Sequence, residues 1–344
     1  MWTPAQANVM RWQHQPGRYE VWYATFSHLA TRTGFWIRYT LEAPVEGHGD
    51  PYAQLWFGRF DPARPERTFA FNRKFLVSVL QSRAVPFRIK IGDAELRQDG
   101  MTGALSGDGH EVQWDLSWSE AKAVHLHLPN LVYKLGFAET EVLSPNLHVP
   151  VKGRVTVDGE LYEFAGDPLG QTHIWGRKHA YSWAWSHCNT FVGAPETCLE
   201  TLSIRLRRRG RILPTLTLVS IYLDGVDAKT PPIEFRQFWQ LPLARSEYGG
   251  QGYRLHAANA THKIEIDYSC RPEDMLIAEY ADPDGEASFC HNTECATAKL
   301  SIYQRGLPWQ RFDKVRELFA HRTAHFEWGA RTPDPSVSKR HLAL

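Results

Sequence analysis

The feature that most constrains this chain is the way apolar runs and turn signals alternate along it. Runs of five to ten residues rich in Val, Ile, Thr, Tyr, Phe and Trp recur from end to end, each broken by Gly, Pro or Asp-Gly. Tyr19–Phe26, Gly34–Leu41, Tyr52–Phe60, Phe87–Ile91 and Val112–Trp118 read as strands. So do Gly153–Val157, Leu161–Phe164, Trp183–Val192, Thr201–Arg208, Leu213–Tyr222 and His262–Tyr268. No helical period alternates with these runs. A parallel α/β sheet is therefore disfavoured, and antiparallel barrels or sandwiches are expected. Asp158-Gly159, between Arg154–Val157 and Leu161–Phe164, supplies the positive φ angles of a type I′ hairpin, and Arg209-Gly210 makes a similar turn.

At 344 residues the chain is long enough for two domains. Residues 138–150 hold two prolines and no strand alternation, which suggests β domains over 1–145 and 146–330 and a tail over 331–344. One helix is predicted over Trp309–His325, because Pro308 suits a first turn and Phe312, Val315, Phe319 and Phe326 recur at helical spacing. A weaker helix is predicted over Pro4–Gln13. Residues beyond Thr332 read as disordered.

Thirty-nine Lys and Arg against 38 Asp and Glu leave a net charge of +1, so no global basic field draws the chain to nucleic acid or an anionic membrane. No apolar run is long enough for a transmembrane helix. The first residues carry Gln6, Asn8, Arg11 and Gln13 where a secretory signal has an apolar core. With five cysteines, an odd number, this predicts reduced thiols and a cytoplasmic protein.

The 13 Trp residues are an excess that one segment begins to explain. Residues 171–193 place His173, Trp175, Arg177, His179, Tyr181, Trp183, Trp185, His187, Asn189 and Phe191 at odd positions, with mostly small residues between them. Successive side chains of a strand point to opposite faces. A plain packing face would be Val, Leu and Ile, whereas this one needs a hydrogen-bond partner for each indole and imidazole. The pattern suits the wall of a flat-sided, largely apolar ligand cavity with a few polar groups. A Trp-rich core with satisfied histidines is the competing reading.

Other motifs carry less. Cys290, His291 and Cys295, with His187-Cys188, do not have zinc spacing, and no metal is expected. Ser186 and His187 point to opposite faces and cannot act as a nucleophile–base pair. Gly249-Gly250-Gln251-Gly252 and Asp282-Pro283-Asp284-Gly285 read as turns. The basic run Arg205–Arg211 reads as a solvated hairpin tip, or else as a contact for an anionic head group or a substrate carboxylate.

The order Gly153-x-Val155-x-Val157-Asp158-Gly159, then His173-x-Trp175-Gly176, then Trp183-x-Trp185-x-x-x-Asn189 resembles the lipocalin-like hydratase/cyclase superfamily. That superfamily includes carotenoid 1,2-hydratase (hydroxyneurosporene synthase) and tocopherol cyclase. Tyr19-Glu20-Val21-Trp22-Tyr23 is similar to the opening of such proteins. The resemblance implies an all-β chain of two lipocalin-like antiparallel barrels joined face to face. It implies an active-site pair at His173 and Trp175. The hydratase branch has a Tyr-x-Asp about 27 residues further on; this chain has Glu200 near that place, within Thr197–Thr201, and no Tyr-x-Asp there.

Together these readings predict acid-catalysed hydration, cyclisation or isomerisation of a lipophilic, isoprenoid or polyketide-like molecule. His173, or else His187, would donate the proton; Trp175, Trp183 and Trp185 would line the cavity; and Asn189 or a water would orient the nucleophile. Indole faces stabilise a dry cation by about 2 kcal/mol each. His179 and Tyr181 join the ligand-binding set. No cofactor is implied, peripheral membrane contact is compatible with the sequence, and the oligomeric state is open. The alternative is a lipocalin-like binding protein that holds such a ligand without converting it.

Overall fold

The computed structural model describes residues 2–136 and 138–338, and the backbone of 340–342. Most of it is antiparallel strand, arranged as two barrel-like sheets. The strands that matter for the site in the first sheet are β1 (Arg18–His28), β2 (Thr33–Ala43), β3 (Tyr52–Phe60), β4 (Thr140–Val157) and β5 (Glu160–Gly176). In the second sheet they are β6 (Ser182–Cys188), β7 (Cys198–Arg205), β8 (Leu216–Tyr222), β9 (Ala287–Gln304) and β10 (Asp313–Ala330). The first sheet runs β3-β2-β1-β5-β4 and continues through the strands between residues 80 and 118. The second runs β8-β7-β6-β10-β9 and continues through those between 244 and 269. The Asp158-Gly159 turn joins β4 to β5 with both residues at positive φ, 51° and 81°.

Side-chain alternation makes each barrel. Trp22, Phe26, Phe35, Ile37 and Tyr39 point into the first, and Ala184, Leu199, Val219 and Phe326 into the second. The outward residues of β1 and β2 are not solvated either: all eleven residues of β2 are buried. A strand buried on both faces needs a second layer, and the second barrel supplies it. The barrels meet through this doubly covered region. Trp36 Nε1 donates to Asn292 Oδ1 at 3.1 Å, and Ser27 Oγ donates to the Thr323 carbonyl at 3.3 Å.

The structure corrects several expectations. Residues 313–330 form strand β10, not part of a helix over Trp309–His325. The apolar spacing at 312, 315 and 319 fits a helix, but pairing with β9 along the whole length supplies the backbone hydrogen bonds. Its first half faces solvent, and its last half alternates, with Ala324, Phe326 and Trp328 inward. The N-terminal helix, α1, spans only Pro4–Asn8, closed by a capping box of Thr3 and Gln6. The strand begun at Trp183 ends at Cys188 rather than Val192, which is exposed. Residues 138–150 largely belong to β4, and the chain passes from one sheet to the other at 177–181. In the tail, Val337 is buried and 340–342 pair in parallel with Leu276–Ala281.

Candidate active site between the barrels

The outward face of the second sheet is ordered in rows. Leu218, Leu202, Trp185, Glu327 and Asn292 are successive partners across β8, β7, β6, β10 and β9. The next row is Leu216, Ile204, Trp183, Gly329 and Cys290. Gly329 is a seat: a Cβ there would lie 2.2 Å from Trp183 Cη2, so only glycine lets the indole lie flat on the sheet. Gly58 similarly accommodates Trp36, its notional Cβ 2.8 Å from that ring.

Between these rows and the outward residues of β1 and β2 lies a cavity of about 300 Å³. Trp36, Trp183, Trp185, Tyr19, Tyr23 and Tyr280 give it aromatic walls, and the leucines and isoleucine of β7 and β8 give it an aliphatic one. Tyr23 meets Trp185 edge-on at 5.9 Å. Polar groups are few. Arg38 lies 4.2 Å above the Tyr280 ring and donates from Nε to Thr40 Oγ1 at 3.0 Å. Glu327 accepts from Trp183 Nε1 at 2.9 Å and from Cys290 Sγ at 3.4 Å. Burial pushes the Glu327 carboxyl above its ordinary range, and these two donors only partly offset that push. Glu294 also reaches the cavity and pairs with the buried His325.

His179 stands at one side of the cavity, stacked on Tyr19 at 4.6 Å and on Trp183 at 5.4 Å. Its Nδ1 lies 2.6 Å from Asp282 Oδ1, and Asp282 Oδ2 accepts from Arg331 at 2.9 Å. Burial would raise the Asp282 carboxyl, but His179 and Arg331 outweigh it and hold the pKa at about 2. The Asp282–Gly285 segment does turn, yet its first residue orients a ring of the cavity.

One row deeper, Glu200 is buried between two imidazoles. Its Oε1 lies 2.6 Å from His127 Nε2 and 2.5 Å from the donating Trp185 Nε1; its Oε2 lies 2.8 Å from His187 Nδ1. Burial opposes the charge, but the two histidines hold this carboxyl well below the usual range. The network fixes the tilt of Trp185, and with it the cavity wall.

The structure separates the residues singled out in 171–193. Trp183, Trp185 and His179 line the cavity, with His187 directly behind it. His173 and Trp175 point the other way. From Leu169 to the end of β5 the odd residues face the first barrel's interior, and after the crossing at 177–181 the odd residues of β6 face outward. His173 is fully buried, stacked on Trp22 at 4.8 Å, with Glu20 Oε1 at 2.8 Å and the Ala7 carbonyl at 2.7 Å; it ties α1 to the barrel. Trp175 borders a separate hollow of about 240 Å³ with Arg11 and Glu141. Asn189 lies in a groove of about 930 Å³ on another side of the junction, and Tyr181 packs under Arg207 at 5.4 Å. Sequence reasoning missed Tyr23, Arg38, Glu294 and Glu327. The available signal was His325-Phe326-Glu327-Trp328, whose polar–apolar alternation belongs to a strand. Among the described residues no group of His, Cys, Asp and Glu is placed to hold a metal ion, and no helix is long and apolar enough to cross a membrane.

Comparison with known proteins agrees with this architecture. The fold is similar to that of a crystal structure from Nitrosomonas europaea described as an AttH protein, with TM-score 0.56, 13% identity and 90% of this chain matched to 92% of that one. It is also similar to kievitone hydratase from Nectria haematococca, with TM-score 0.54, 8% identity and coverage of 96% and 92%. An uncharacterized protein of Mycobacterium tuberculosis strain H37Rv is 28% identical over 309 residues, covering 86% of this chain and 84% of the relative. The tocopherol cyclase-like family profile matches residues 147–330, more than half of the chain. Two lipocalin-like barrels, a hydratase/cyclase-like fold and that match lead to one conclusion: the chain belongs to the tocopherol cyclase-like family.

Proposed function

We propose that this protein hydrates, cyclises or isomerises a lipophilic small molecule, of isoprenoid or polyketide-like kind, by protonating a carbon–carbon double bond in the cavity between the barrels. The observation that carries this reading is Glu327, a carboxyl that burial favours in its protonated form, set beside two indoles in an apolar cavity. A neutral acid is what protonation of an alkene requires, and an apolar chamber keeps the resulting cation from random quenching. The Glu327 proton passes to one alkene carbon, leaving the cation at the other, flanked by the faces of Trp183, Trp185 and Trp36. A water or a hydroxyl of the ligand itself then bonds to the cation, and its surplus proton returns to the Glu327 carboxylate. In isomerisation a neighbouring C–H loses the proton instead. Glu327 replaces His173 as the donor because His173 lies on the opposite side of the first sheet, committed to Glu20 and Ala7. Family membership and the likeness to a hydratase support the reaction class.

The test is incubation of the protein with lipid extract from its own host in deuterated water, followed by mass spectrometry. Deuterium should enter one or more lipophilic compounds with the wild type and not with Glu327→Gln. A compound that is retained by the protein and never labelled would favour the binding-protein alternative; labelling that survives in Glu327→Gln would remove Glu327 from the chemistry.

A further inference from the structure

A second feature surrounds the mouth of the same cavity. Large apolar side chains are exposed on three segments that meet there. Leu131 and Leu135 lie on helix α2 (Asn130–Leu135), Ile212 and Leu213 follow the Arg209-Gly210 turn, and Phe238 and Trp239 precede Leu241. Trp239 is 74% exposed and Leu135 63%. The segments converge on the cavity because Val132, Arg208, Phe238 and Leu241 line it, and because Val132, Leu218, Leu202 and Leu241 pack together beneath them. Folded proteins rarely leave so many large apolar groups around one opening without a use.

The same rim is basic. Arg205, Arg207, Arg208, Arg209 and Arg211 are all exposed on a short ribbon, within a chain whose net charge is only +1. Glu286 pairs with Arg207 and Glu139 with Arg208. No acidic residue occurs between 201 and 223, so Arg205, Arg209 and Arg211 stand on an acid-free stretch of chain. Apolar groups that insert, next to cations that meet head groups, are the two signals that together hold a soluble protein on a bilayer.

We infer that the mouth of the cavity docks on an anionic phospholipid surface, with Trp239 and its neighbours entering the interface and the Arg205–Arg211 ribbon contacting head groups. The occupant is a bilayer rather than an acidic protein because the apolar groups project in pairs from three separate segments, suited to insertion among lipids rather than to a shaped protein groove. They also ring the entrance of a cavity for a lipophilic ligand, whose reservoir is a membrane. In that last step the inference rests on the proposed function. The contact itself does not, and can be measured with no ligand present.

The experiment is co-sedimentation of the full chain with phosphatidylcholine vesicles and with vesicles in which a third of the lipid is phosphatidylglycerol. The wild type should bind the anionic vesicles at least about tenfold better, with binding falling as salt is raised. Trp239→Ala and the double variant Arg209→Glu/Arg211→Glu should each lose about tenfold in binding while keeping the wild-type circular dichroism spectrum. Glu327→Gln should bind vesicles as the wild type does, so the docking surface stands or falls apart from the chemistry. Equal binding to both vesicle types, no binding to either, or unchanged binding by both surface variants would overturn the inference. So would retention by an acidic protein column with no retention by vesicles.

Discussion

The seat beneath Trp183 gives the sharpest quantitative prediction. In Gly329→Ala, the new methyl carbon would lie 2.2 Å from Trp183 Cη2 and Cζ2 and 2.3 Å from Cε2. Carbon atoms pack at about 3.5–4.0 Å, so the ring must move by roughly 1.3 Å or more. It has little room: Trp183 is 7% exposed, and its Nε1 is held by Glu327. Overpacking of this kind costs about 1–3 kcal/mol, and loss of the indole hydrogen bond adds about 1 kcal/mol. Alanine returns up to about 1 kcal/mol through the less flexible unfolded chain. The net expectation is a loss of about 2 kcal/mol, read from urea unfolding, together with weakened binding of an apolar fluorescent probe to the cavity. The cause is isolated by repeating the substitution in a Trp183→Leu background. With the ring gone, Gly329→Ala should cost less, with a coupling of at least about 1 kcal/mol. A loss below about 0.5 kcal/mol, or no coupling to Trp183, would refute the seat.

Three other outcomes follow from the carboxyls. Glu327→Gln should be more stable than the wild type at neutral and alkaline pH in pH-dependent urea titrations. A carboxyl whose folded pKa is raised contributes fully below its unfolded pKa and loses that contribution as pH rises through the folded one; the advantage of the variant should therefore disappear in acid. Asp282→Asn should behave oppositely. Its folded pKa of about 2 lies below the unfolded value, so the wild type should lose about 2 kcal/mol as pH falls from about 4 to 2, and the variant should show no such loss. Glu200→Gln should destabilise the chain by on the order of 3–5 kcal/mol, since it leaves His127 and His187 buried without their carboxylate, and should shift the Trp185 signal in near-ultraviolet circular dichroism.

The sequence carried the architecture well because a strand writes its burial at period two and a tight hairpin writes its turn in Asp158-Gly159. It identified Trp183 and Trp185 as cavity wall for the same reason: large and small residues alternate along β6. Gly176, Arg177 and Lys178 read as a break in the pairing, but not as the place where the chain changes barrels. Across it the odd residues pass from the interior of the first barrel, at His173, to the outside of the second, at Trp183. The helix expected at Trp309–His325 stops two residues short of Glu327, and it hid the strand whose alternation aims Glu327 at the cavity. There the apolar spacing favours a helix locally, while pairing with β9 decides the outcome. Tyr23 and Arg38 were illegible for another reason. Their importance comes from being covered by a second barrel, and nothing within β1 or β2 records which neighbour does the covering.

The cavity has one wall on each barrel, and the covalent link between the two sheets is the short stretch 177–181. A molecule seated there is therefore also a cross-brace. At a concentration about a hundredfold above its dissociation constant it would contribute about 2.7 kcal/mol to holding the halves together. Loaded protein should melt as a single unit at a ligand-dependent temperature, whereas the empty form relies on the interface alone. Read in reverse, any force that pries the barrels apart empties the chamber, so cargo release and loosening of the junction are the same event seen from two sides.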